Sequence, residues 1–460
     1  MHVAAHTLGC KLNYAETSDI LRKISSSGHQ IVDFTSSADL YIINTCTVTS
    51  VAEKKCRAAI RQAHRINPDA RIAVIGCFAQ VAAADIEKIP GVTIVLGNDR
   101  KHLLPDLVDN GFDLSFLDPQ FATFKLQYSS GARTRTFFKI QDGCDYFCTY
   151  CAIPFARGRS RSATIDETLC MARRIADEGA REVVLTGVNT GTFGQMDRRH
   201  PAGTDNAHHE PFLDLLRGLD KIDGILRYRI SSIEPNLLTD GIIDFVASSR
   251  AFLPHFHIPL QAGSDHVLQL MHRRYDTALY RAKLERIKAV MPDACIAADI
   301  MAGFNGENEE EFRKTLDFVD SLPISYLHVF TYSDRPGTAA LRLGEKVPVP
   351  VRHEHTARLL ELSQRKHHTF IQSQLGKTRP VLWESKQVEN GKRKVENGQR
   401  EVDSEKAAAS LSTFNFQLST FMEGWTDNYI RVFRPYDPAK IGTVEDVALS
   451  DNNILRDEIQ

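Results

Sequence analysis

The chain has 460 residues, of which 42% are hydrophobic and 25% are charged, and its formal net charge is −2 at pH 7. This composition is typical of soluble globular proteins and excludes a strongly basic chain that binds nucleic acid through its net charge alone. No apolar run reaches the roughly 18 residues of a membrane span, and the first residues lack a secretory signal, so we expect a cytoplasmic protein without membrane attachment.

The length predicts about three domains. The first, residues 1–118, alternates β-branched runs with helical patterns, which predicts a parallel α/β sheet. Three of its predicted strands are followed by Cys10, Cys46 and Cys77. Because the carboxyl ends of parallel strands lie on one side of a sheet, these cysteines can converge on one metal centre. The alternative is three separate buried thiols without a ligand.

The second predicted domain, residues 130–365, contains six strand candidates separated by helical patterns. Each strand leads into a loop rich in polar residues or glycine, which predicts an incomplete (β/α)6 barrel with its site at the strand carboxyl ends. The candidate site residues in these loops are Thr186, Gly187, Asn189, Ser232, Glu234 and Gln261. An ordinary tight turn is the alternative for the first three of them.

The loop after the first barrel strand reads DGCDYFCTYC and contains Cys144, Cys148 and Cys151. A structural zinc site usually takes four protein ligands, and no fourth cysteine or histidine follows at short spacing. Three thiolates instead suit a 4Fe-4S cluster in which one iron has no protein ligand. A loop of reduced thiols and a partial zinc site are the alternatives.

Two sets of basic residues predict contacts with an anionic partner such as RNA. The first set, Lys54, Arg57, Arg61 and Arg65, recurs every three or four residues and is called the basic helix face below. The second set, Arg157, Arg159 and Arg161, alternates after the clustered cysteines. The alternative for the helix is an ordinary solvated face. The tail, residues 376–450, reads as short strands joined by turns and predicts a small all-β domain.

The blocks TLGCKLN, INTCTVT, VIGCFAQ, GCDYFCTYCAIPFARGRSRS and HIPLQAGSD together resemble the radical S-adenosylmethionine methylthiotransferase family. The all-β tail resembles the TRAM module, an RNA-binding barrel. Within the family, LGCK followed by Asn13 and Glu16 is most similar to the branch that acts on N6-threonylcarbamoyladenosine in tRNA. The branches that act on isopentenyladenosine in tRNA or on a ribosomal protein residue are the alternatives.

The resemblance implies an enzyme with two 4Fe-4S clusters, one on Cys144, Cys148 and Cys151 and the other on Cys10, Cys46 and Cys77. It also implies S-adenosylmethionine at the open iron of the first cluster, close to Tyr150 and to the six loop residues named above. The implied reaction adds a methylthio group to C2 of the adenine at tRNA position 37, beside the anticodon. The implied partners are the tRNA anticodon stem-loop and an electron donor such as flavodoxin or ferredoxin.

Overall fold

The computed structural model describes residues 1–113, 124–129, 134–195, 210–389, 392–393 and 420–455. The N-terminal part is a parallel five-stranded sheet with strand order β2-β1-β3-β4-β5. Its strands are β1 (His2–Thr7), β2 (Gln30–Val32), β3 (Leu40–Thr45), β4 (Arg71–Gly76) and β5 (Val92–Leu96). Its helices are α1 (Lys11–Ser26), α2 (Ser50–Ile66), α3 (Cys77–Val81), α4 (Ala83–Ile86) and α5 (Leu104–Asp109). Every residue of β3 is buried because apolar clusters cover both faces of the sheet.

The middle part contains the six parallel strands of the predicted barrel. These six are β7 (Arg135–Lys139), β10 (Glu182–Thr186), β11 (Arg227–Ile230), β12 (His255–His257), β13 (Cys295–Ala302) and β14 (Tyr326–Thr331). Three short strands accompany them, namely β6 (Gln127–Tyr128), β8 (Gln141–Asp142) and β9 (Arg161–Ser162). The parallel order is β7-β10-β11 and β12-β13-β14, and the two groups are joined by a parallel bridge between Ser232 and His257. β6 lies antiparallel at the edge beside β7, within the segment that the sequence analysis placed before the barrel.

Helices cover the outer face of this barrel. They are α7 (Ile165–Asp177), α8 (Pro211–Leu219), α9 (Asp240–Ser248), α10 (Asp265–Leu270), α11 (Thr277–Val290), α12 (Glu309–Ser321) and α13 (Val349–Gln374). The short helix α6 (Ile153–Arg157) packs instead against α3 of the N-terminal part. Several begin at a side-chain cap; Asn308, for example, accepts from the Glu311 amide at the start of α12. Alternate strand residues such as Phe138 and Leu185 join the apolar core beneath the helices. The remaining strand residues face the barrel lumen.

The six strands do not close into a ring in the described part of the chain, and α1 packs against the open side. Tyr14 and Ala15 of α1 contact the lumen-facing residues Phe137 and Val184. The Tyr14 and Phe137 rings meet edge to face, with their centroids 5.7 Å apart. The N-terminal domain therefore forms part of the lumen wall.

The C-terminal part is an antiparallel sheet, as predicted. Its strands are β15 (Thr378–Glu389), β16 (Lys392–Arg393), β17 (Thr420–Thr426), β18 (Arg431–Pro435) and β19 (Val444–Ala448). It lies against the amino ends of the barrel strands, where Arg227 donates to Pro380 O at 2.6 Å and Arg229 donates to Thr426 O at 2.8 Å. Residues 394–419 of the predicted 376–450 domain lie outside the described residues, and the likeness to a TRAM module stays a prediction. None of the described helices is long and apolar enough to cross a bilayer.

Candidate active site

One loop after β7 and β8 holds three cysteines. They are Cys144, Cys148 and Cys151, called the barrel trio below. Gly143 opens the loop with a φ of 71°, and a Cβ there would lie 2.0 Å from the carbonyl oxygen of Arg159. Only glycine fits this position without moving the backbone. The amide of Cys151 donates to Cys148 O at 3.0 Å, so backbone geometry folds the loop around its cysteines.

The thiols of the barrel trio are protonated at neutral pH unless a metal or a cation stabilises the thiolate. Burial raises the pKa of Cys144 to about 11 and that of Cys151 to about 12. Arg273 supplies one such cation, because its Nη1 donates to Cys148 Sγ at 3.1 Å. The same guanidinium forms an ion pair with Glu234. The loop is thus suited to hold thiolate ligands once a metal is bound.

The other three predicted cysteines meet at the carboxyl edge of the N-terminal sheet. They are Cys10, Cys46 and Cys77, called the N-terminal trio below. Cys10 is the N-cap residue of α1, Cys46 directly follows β3, and Cys77 is the first residue of α3. A Cβ on Gly9 would lie 3.1 Å from Cys46 Sγ, so the loop before α1 packs directly on Cys46. Burial raises the pKa of Cys46 to about 12, and the other two cysteines add to the shift.

The spacing of both trios fits a cluster better than a single ion. Four sulfurs around one zinc ion at about 2.3 Å lie roughly 4 Å apart. Among the described residues, the one group whose ligand atoms all lie within 4.8 Å is His257, Asp299 and His328, which contains no cysteine. The wider sulfur spacing and the three-cysteine donor sets fit 4Fe-4S clusters, which attach each cysteine to a different iron.

The two trios are joined by a short structural link. α3, which begins at Cys77, packs against α6, which begins two residues after Cys151. Asn98 connects the two helices, since its Nδ2 lies 3.3 Å from Cys77 Sγ and donates to Ala156 O at 2.7 Å. The two candidate metal sites are therefore neighbours at the contact between the N-terminal domain and the barrel.

A network of buried charges lies beneath this link. Its members are Glu16, Lys101, Lys139, Asp142 and Arg157, called the buried charge network below. Glu16 accepts from Lys139 Nζ at 2.7 Å and from Arg157 at 3.2 Å, and it also pairs with Lys101. Burial opposes the charge of Arg157, but Cys77, Glu16 and Asp142 outweigh it and raise its pKa. Three buried cations face two carboxylates, so the excess positive charge favours anionic ligands in the adjacent N-terminal trio.

The lumen wall opposite the barrel trio is polar. The side chain of Ser232 hydrogen-bonds His257 Nδ1 at 2.9 Å, and His257 Nε2 lies 2.7 Å from Asp299 Oδ1. Asp299 pairs with His328 in the parallel register of β13 and β14. His257, Asp299 and His328 are all half-buried, so solvent reaches the lumen beside these three residues.

Comparisons with known proteins agree with this architecture. Residues 2–97 match the uncharacterized protein family UPF0004, and residues 138–319 match the Radical SAM superfamily. The threonylcarbamoyladenosine tRNA methylthiotransferase MtaB of Bacillus subtilis is 39% identical over 371 residues, which cover 78% of this chain and 80% of that protein. This chain belongs to the radical S-adenosylmethionine methylthiotransferase family. It is an enzyme of that type, and the cofactors of the family are S-adenosylmethionine and two 4Fe-4S clusters.

Further relatives of this methylthiotransferase fall into two named groups. MtaB of Aquifex aeolicus is 36% identical and covers 82% of this chain and 91% of its own length. The tRNA-2-methylthio-N(6)-dimethylallyladenosine synthase of Syntrophotalea carbinolica is 32% identical, and the match covers 84% of this chain and 89% of that protein. Among solved structures, the radical S-adenosylmethionine methyltransferase TsrM from Kitasatospora setae superposes with a TM-score of 0.51 at 14% identity, covering 74% of this chain and 76% of that one. That likeness concerns the fold alone.

The loop after β10 places three predicted cofactor residues at the lumen of the methylthiotransferase. Thr186 ends β10, and Gly187 packs so closely on Gln141 that a Cβ would lie 2.8 Å from Gln141 Oε1. That oxygen accepts from the Asn189 amide at 3.0 Å. The Asn189 side chain is buried, yet neither of its polar atoms has a partner in the described part of the chain. The buried Asn189 amide therefore has both a donor and an acceptor available for a ligand in the lumen.

The remaining predicted cofactor residues surround the same space. Ser232 accepts from the Thr190 hydroxyl through its carbonyl, which joins the loops after β10 and β11. Glu234 follows on that loop and pairs with Arg273, whose Nη1 also lies 3.4 Å from the Tyr150 hydroxyl. Gln261 adopts a left-handed conformation with a φ of 68°, which is uncommon for a residue with a side chain. Its role and those of the others stay predictions.

Among the basic residues predicted to contact RNA, Arg157 differs from the rest because it is buried. The sequence analysis grouped Arg157 with the RNA contacts, and this is wrong, because the side chain is buried and belongs to the buried charge network. Arg161 is half-buried and pairs with Asp142, whereas Arg159 is exposed and lies over the Phe147 ring. On the basic helix face, Lys54, Arg61 and Arg65 are exposed, and Arg57 is half-buried over the ring of Phe78.

Sequence reasoning missed several residues of the methylthiotransferase site. Arg273 lies in a short turn without periodicity, and nothing in its sequence surroundings points to Cys148. His257, Asp299 and His328 did carry a signal, because each is a polar residue inside an otherwise apolar strand pattern. The aromatic residues Phe147 and Phe155 are exposed beside the barrel trio, where an apolar side chain has no structural reason to be.

Proposed function

We propose that this methylthiotransferase adds a methylthio group to C2 of N6-threonylcarbamoyladenosine at position 37 of tRNA, beside the anticodon. The observation that carries the proposal is the meeting of two cysteine trios at the contact between the N-terminal domain and the barrel, in a chain 39% identical to MtaB of Bacillus subtilis. We assign one cluster to the barrel trio and the other to the N-terminal trio. When bound, the first cluster with S-adenosylmethionine supplies radical chemistry, and the second supplies sulfur.

The chain's own residues prepare this chemistry. Arg273 holds Cys148 and Glu234 in place with one guanidinium, beside the barrel trio that would hold the first cluster. The buried amide of Asn189 supplies a donor and an acceptor for the polar end of S-adenosylmethionine. Tyr150 lies beside Arg273, and its ring centroid is 6.1 Å from that of Phe304. In this assignment, Thr186, Gly187, Ser232, Glu234 and Gln261 complete the cofactor site.

The substrate nucleotide reaches the lumen through a surface that suits a single-stranded RNA loop. Phe147 and Phe155 are exposed beside the barrel trio and offer faces on which unpaired bases stack. Arg159 lies over Phe147, with its guanidinium carbon 4.9 Å from the ring centroid, and adds positive charge there. The helix α2 begins four residues after Cys46 and carries the basic helix face, which adds positive charge on the side of the N-terminal trio. The anticodon stem-loop is therefore the assigned partner.

The remaining assignments concern the C-terminal sheet, the electron donor and the location of the protein in the cell. The C-terminal antiparallel sheet serves as a further RNA contact of the TRAM type. The reducing electron comes from a small carrier such as flavodoxin or ferredoxin, and the protein works in the cytoplasm together with its tRNA.

Mass analysis of tRNA nucleosides tests the proposal. The gene is expressed in a strain that lacks its own methylthiolation genes but retains threonylcarbamoyladenosine and isopentenyladenosine. We expect 2-methylthio-N6-threonylcarbamoyladenosine to appear and to vanish with Cys10→Ala and with Cys148→Ala. Cys170→Ala is the matched control, since Cys170 is exposed on α7, away from both trios.

Two other results would change the assignment. A methylthio group on isopentenyladenosine would give this chain the activity that the name of the Syntrophotalea carbinolica relative describes. Cleavage of S-adenosylmethionine without any change in tRNA nucleosides would point instead to a protein substrate, such as a ribosomal protein residue.

A further inference from the structure

Two polar side chains that face the lumen have no partner in the described part of the chain. Lys11 directly follows Cys10 and is exposed, and it makes no hydrogen bond or ion pair with a described residue. His328 contacts the rings of His257 and Tyr326, with centroids 5.2 and 5.3 Å away, but neither of its nitrogens has a hydrogen-bond partner there. Lys11 and the half-buried His328 are therefore available to a ligand that enters the lumen.

The position of Lys11 follows from the helix that it begins. Lys11 precedes Tyr14 by three residues and Ala15 by four, so the three share one face of α1. That face packs on Phe137 and Val184, which line the lumen. Lys11 therefore lies on the face of α1 that covers the open side of the barrel.

Electrostatics locate the two groups near each other. Burial lowers the pKa of His328 to about 4, and the charges of His257 and Lys11 act in the same direction. The imidazole is thus neutral at pH 7 and keeps one N–H to donate. Burial would raise the pKa of Asp299, but His257, His328 and Lys11 together lower it. Lys11 acts on both residues, although it is not in contact with either carboxylate oxygen of Asp299.

The other cations of the cavity already have carboxylate partners. Lys101, Lys139 and Arg157 share Glu16 and Asp142 within the buried charge network. At the amino end of the barrel, Arg229 pairs with Glu182 and Arg135 with Glu384. Arg273 pairs with Glu234 beside the barrel trio. Asp299, on which the charge of Lys11 acts, is engaged by His257. Among the described cations named here, Lys11 is the one without a carboxylate partner, and it is available to an anionic ligand.

We propose that Lys11 and His328 bind the carboxylate of the substituent on N6 of the substrate adenosine. This inference rests on the proposed function, because the threonylcarbamoyl group carries a carboxylate and a hydroxyl, whereas a dimethylallyl group is entirely apolar. An apolar substituent would have to be buried against Lys11, His328 and Asp299 without compensation, which is costly. The polar wall of β12 to β14 thus selects the substrate by its charge.

Binding of anticodon stem-loops tests the inference apart from catalysis. The protein with both clusters, without reductant, is titrated with three RNAs that carry threonylcarbamoyladenosine, its carboxamide analogue, or plain adenosine at position 37. We expect the wild type to bind the carboxylate form about 10- to 100-fold more tightly than the carboxamide, since a hydrogen-bonded charge contact is worth that much. Lys11→Gln should remove most of this preference and leave the affinity for the carboxamide unchanged.

Two further variants complete the design. His328→Ala should weaken the preference about 10-fold. His328 is on β14 and is not a sequence neighbour of either trio, so it reports on the pocket even if Lys11→Gln disturbs Cys10. Lys88→Gln removes an exposed lysine of the same domain and should behave as the wild type. Iron and sulfide contents are measured for every variant. Equal weakening for all three RNAs, or a preserved preference in both pocket variants, would overturn the inference.

Failure of the inference and failure of the proposed function give different results. If the wild type methylthiolates threonylcarbamoyladenosine but binds the carboxylate and carboxamide forms equally, the function stands and the inference falls. If the wild type methylthiolates only isopentenyladenosine, both fall. Stoichiometric zinc or extra iron that is lost in His328→Ala would assign His257, Asp299 and His328 to a metal ion and would also overturn the inference.

Discussion

Replacing Glu16 by glutamine tests whether the buried charge network holds the N-terminal domain in the barrel. Glu16 is fully buried and is surrounded by three cations whose side chains are at most 7% exposed. Leaving a buried charge without its partner costs about 3–5 kcal/mol. Asp142 remains within 3.1 Å of Lys139 and 2.9 Å of Arg157, so the loss is greatest for Lys101. We therefore expect the lower end of the range, about 3 kcal/mol.

Native-state hydrogen exchange measures this loss where it occurs. A decrease of about 3 kcal/mol corresponds to about 150-fold faster exchange of amides that open with the interface. We expect this acceleration in α1 and β7 of the cluster-loaded Glu16→Gln protein. Glu87→Gln changes an exposed carboxylate of the same domain and serves as the control. Unchanged exchange in α1 and β7 would refute the claim that these charges stabilise the interface.

The sign of the pH dependence follows from the same contacts. Burial alone would raise the pKa of Glu16, but Arg157, Lys101 and Lys139 hold it well below its ordinary value of 4.5. A lowered folded-state pKa means that the stabilisation is fully present above pH 4.5 and is lost as the pH falls through the folded-state pKa. The wild type should thus lose more interface stability on acidification than Glu16→Gln, as seen in exchange rates that are corrected for pH.

Three more predictions concern the metal sites and the RNA surface. Gly143→Ala places a Cβ against the Arg159 carbonyl and should abolish the cluster on the barrel trio. Gly76→Ala places a Cβ 2.3 Å from Asn44 Oδ1 and should abolish the cluster on the N-terminal trio. Iron content should fall by about half in each, and a variant with full iron would contradict the assignment. Arg273→Gln removes the cation beside Cys148 and should make the reduction potential of the barrel cluster more negative. Arg273→Lys retains a cation and should leave that potential unchanged. A redox titration followed by electron paramagnetic resonance measures both. Alanine at all four positions of the basic helix face should lower the slope of log affinity for tRNA against log salt by about 3, at ~0.7 per phosphate contact; an unchanged slope would exclude this face from the interface.

Much of the fold was predictable because local patterns coincide with burial. The strands before Cys46 and Cys77 are apolar runs that the structure buries on both faces, and the six barrel strands recur with polar or glycine-containing loops at their carboxyl ends. The family relationship is confirmed by the comparisons. The cysteine positions followed from strand topology, since parallel neighbours bring distant residues to one edge.

The polar interior was not predictable from spacing. Arg157 lies in an alternating arginine run that is typical of an RNA contact, and its partner Glu16 lies 141 residues earlier in the chain. The link between Asn98 and the two trios depends on how α3 and α6 pack, and no local pattern encodes that packing. Long-range pairings of this kind arise from tertiary structure and leave no periodic signal.

The buried charge network also sets an order of events during synthesis. Lys101 leaves the ribosome 85 residues after Glu16 and gives its carboxylate a first partner within the N-terminal domain. Lys139 and Arg157 follow 123 and 141 residues after Glu16, with the first barrel strand and the helix α6. The charges beside the N-terminal trio are therefore assembled in two steps. The second step is possible once about a third of the 460 residues has been made.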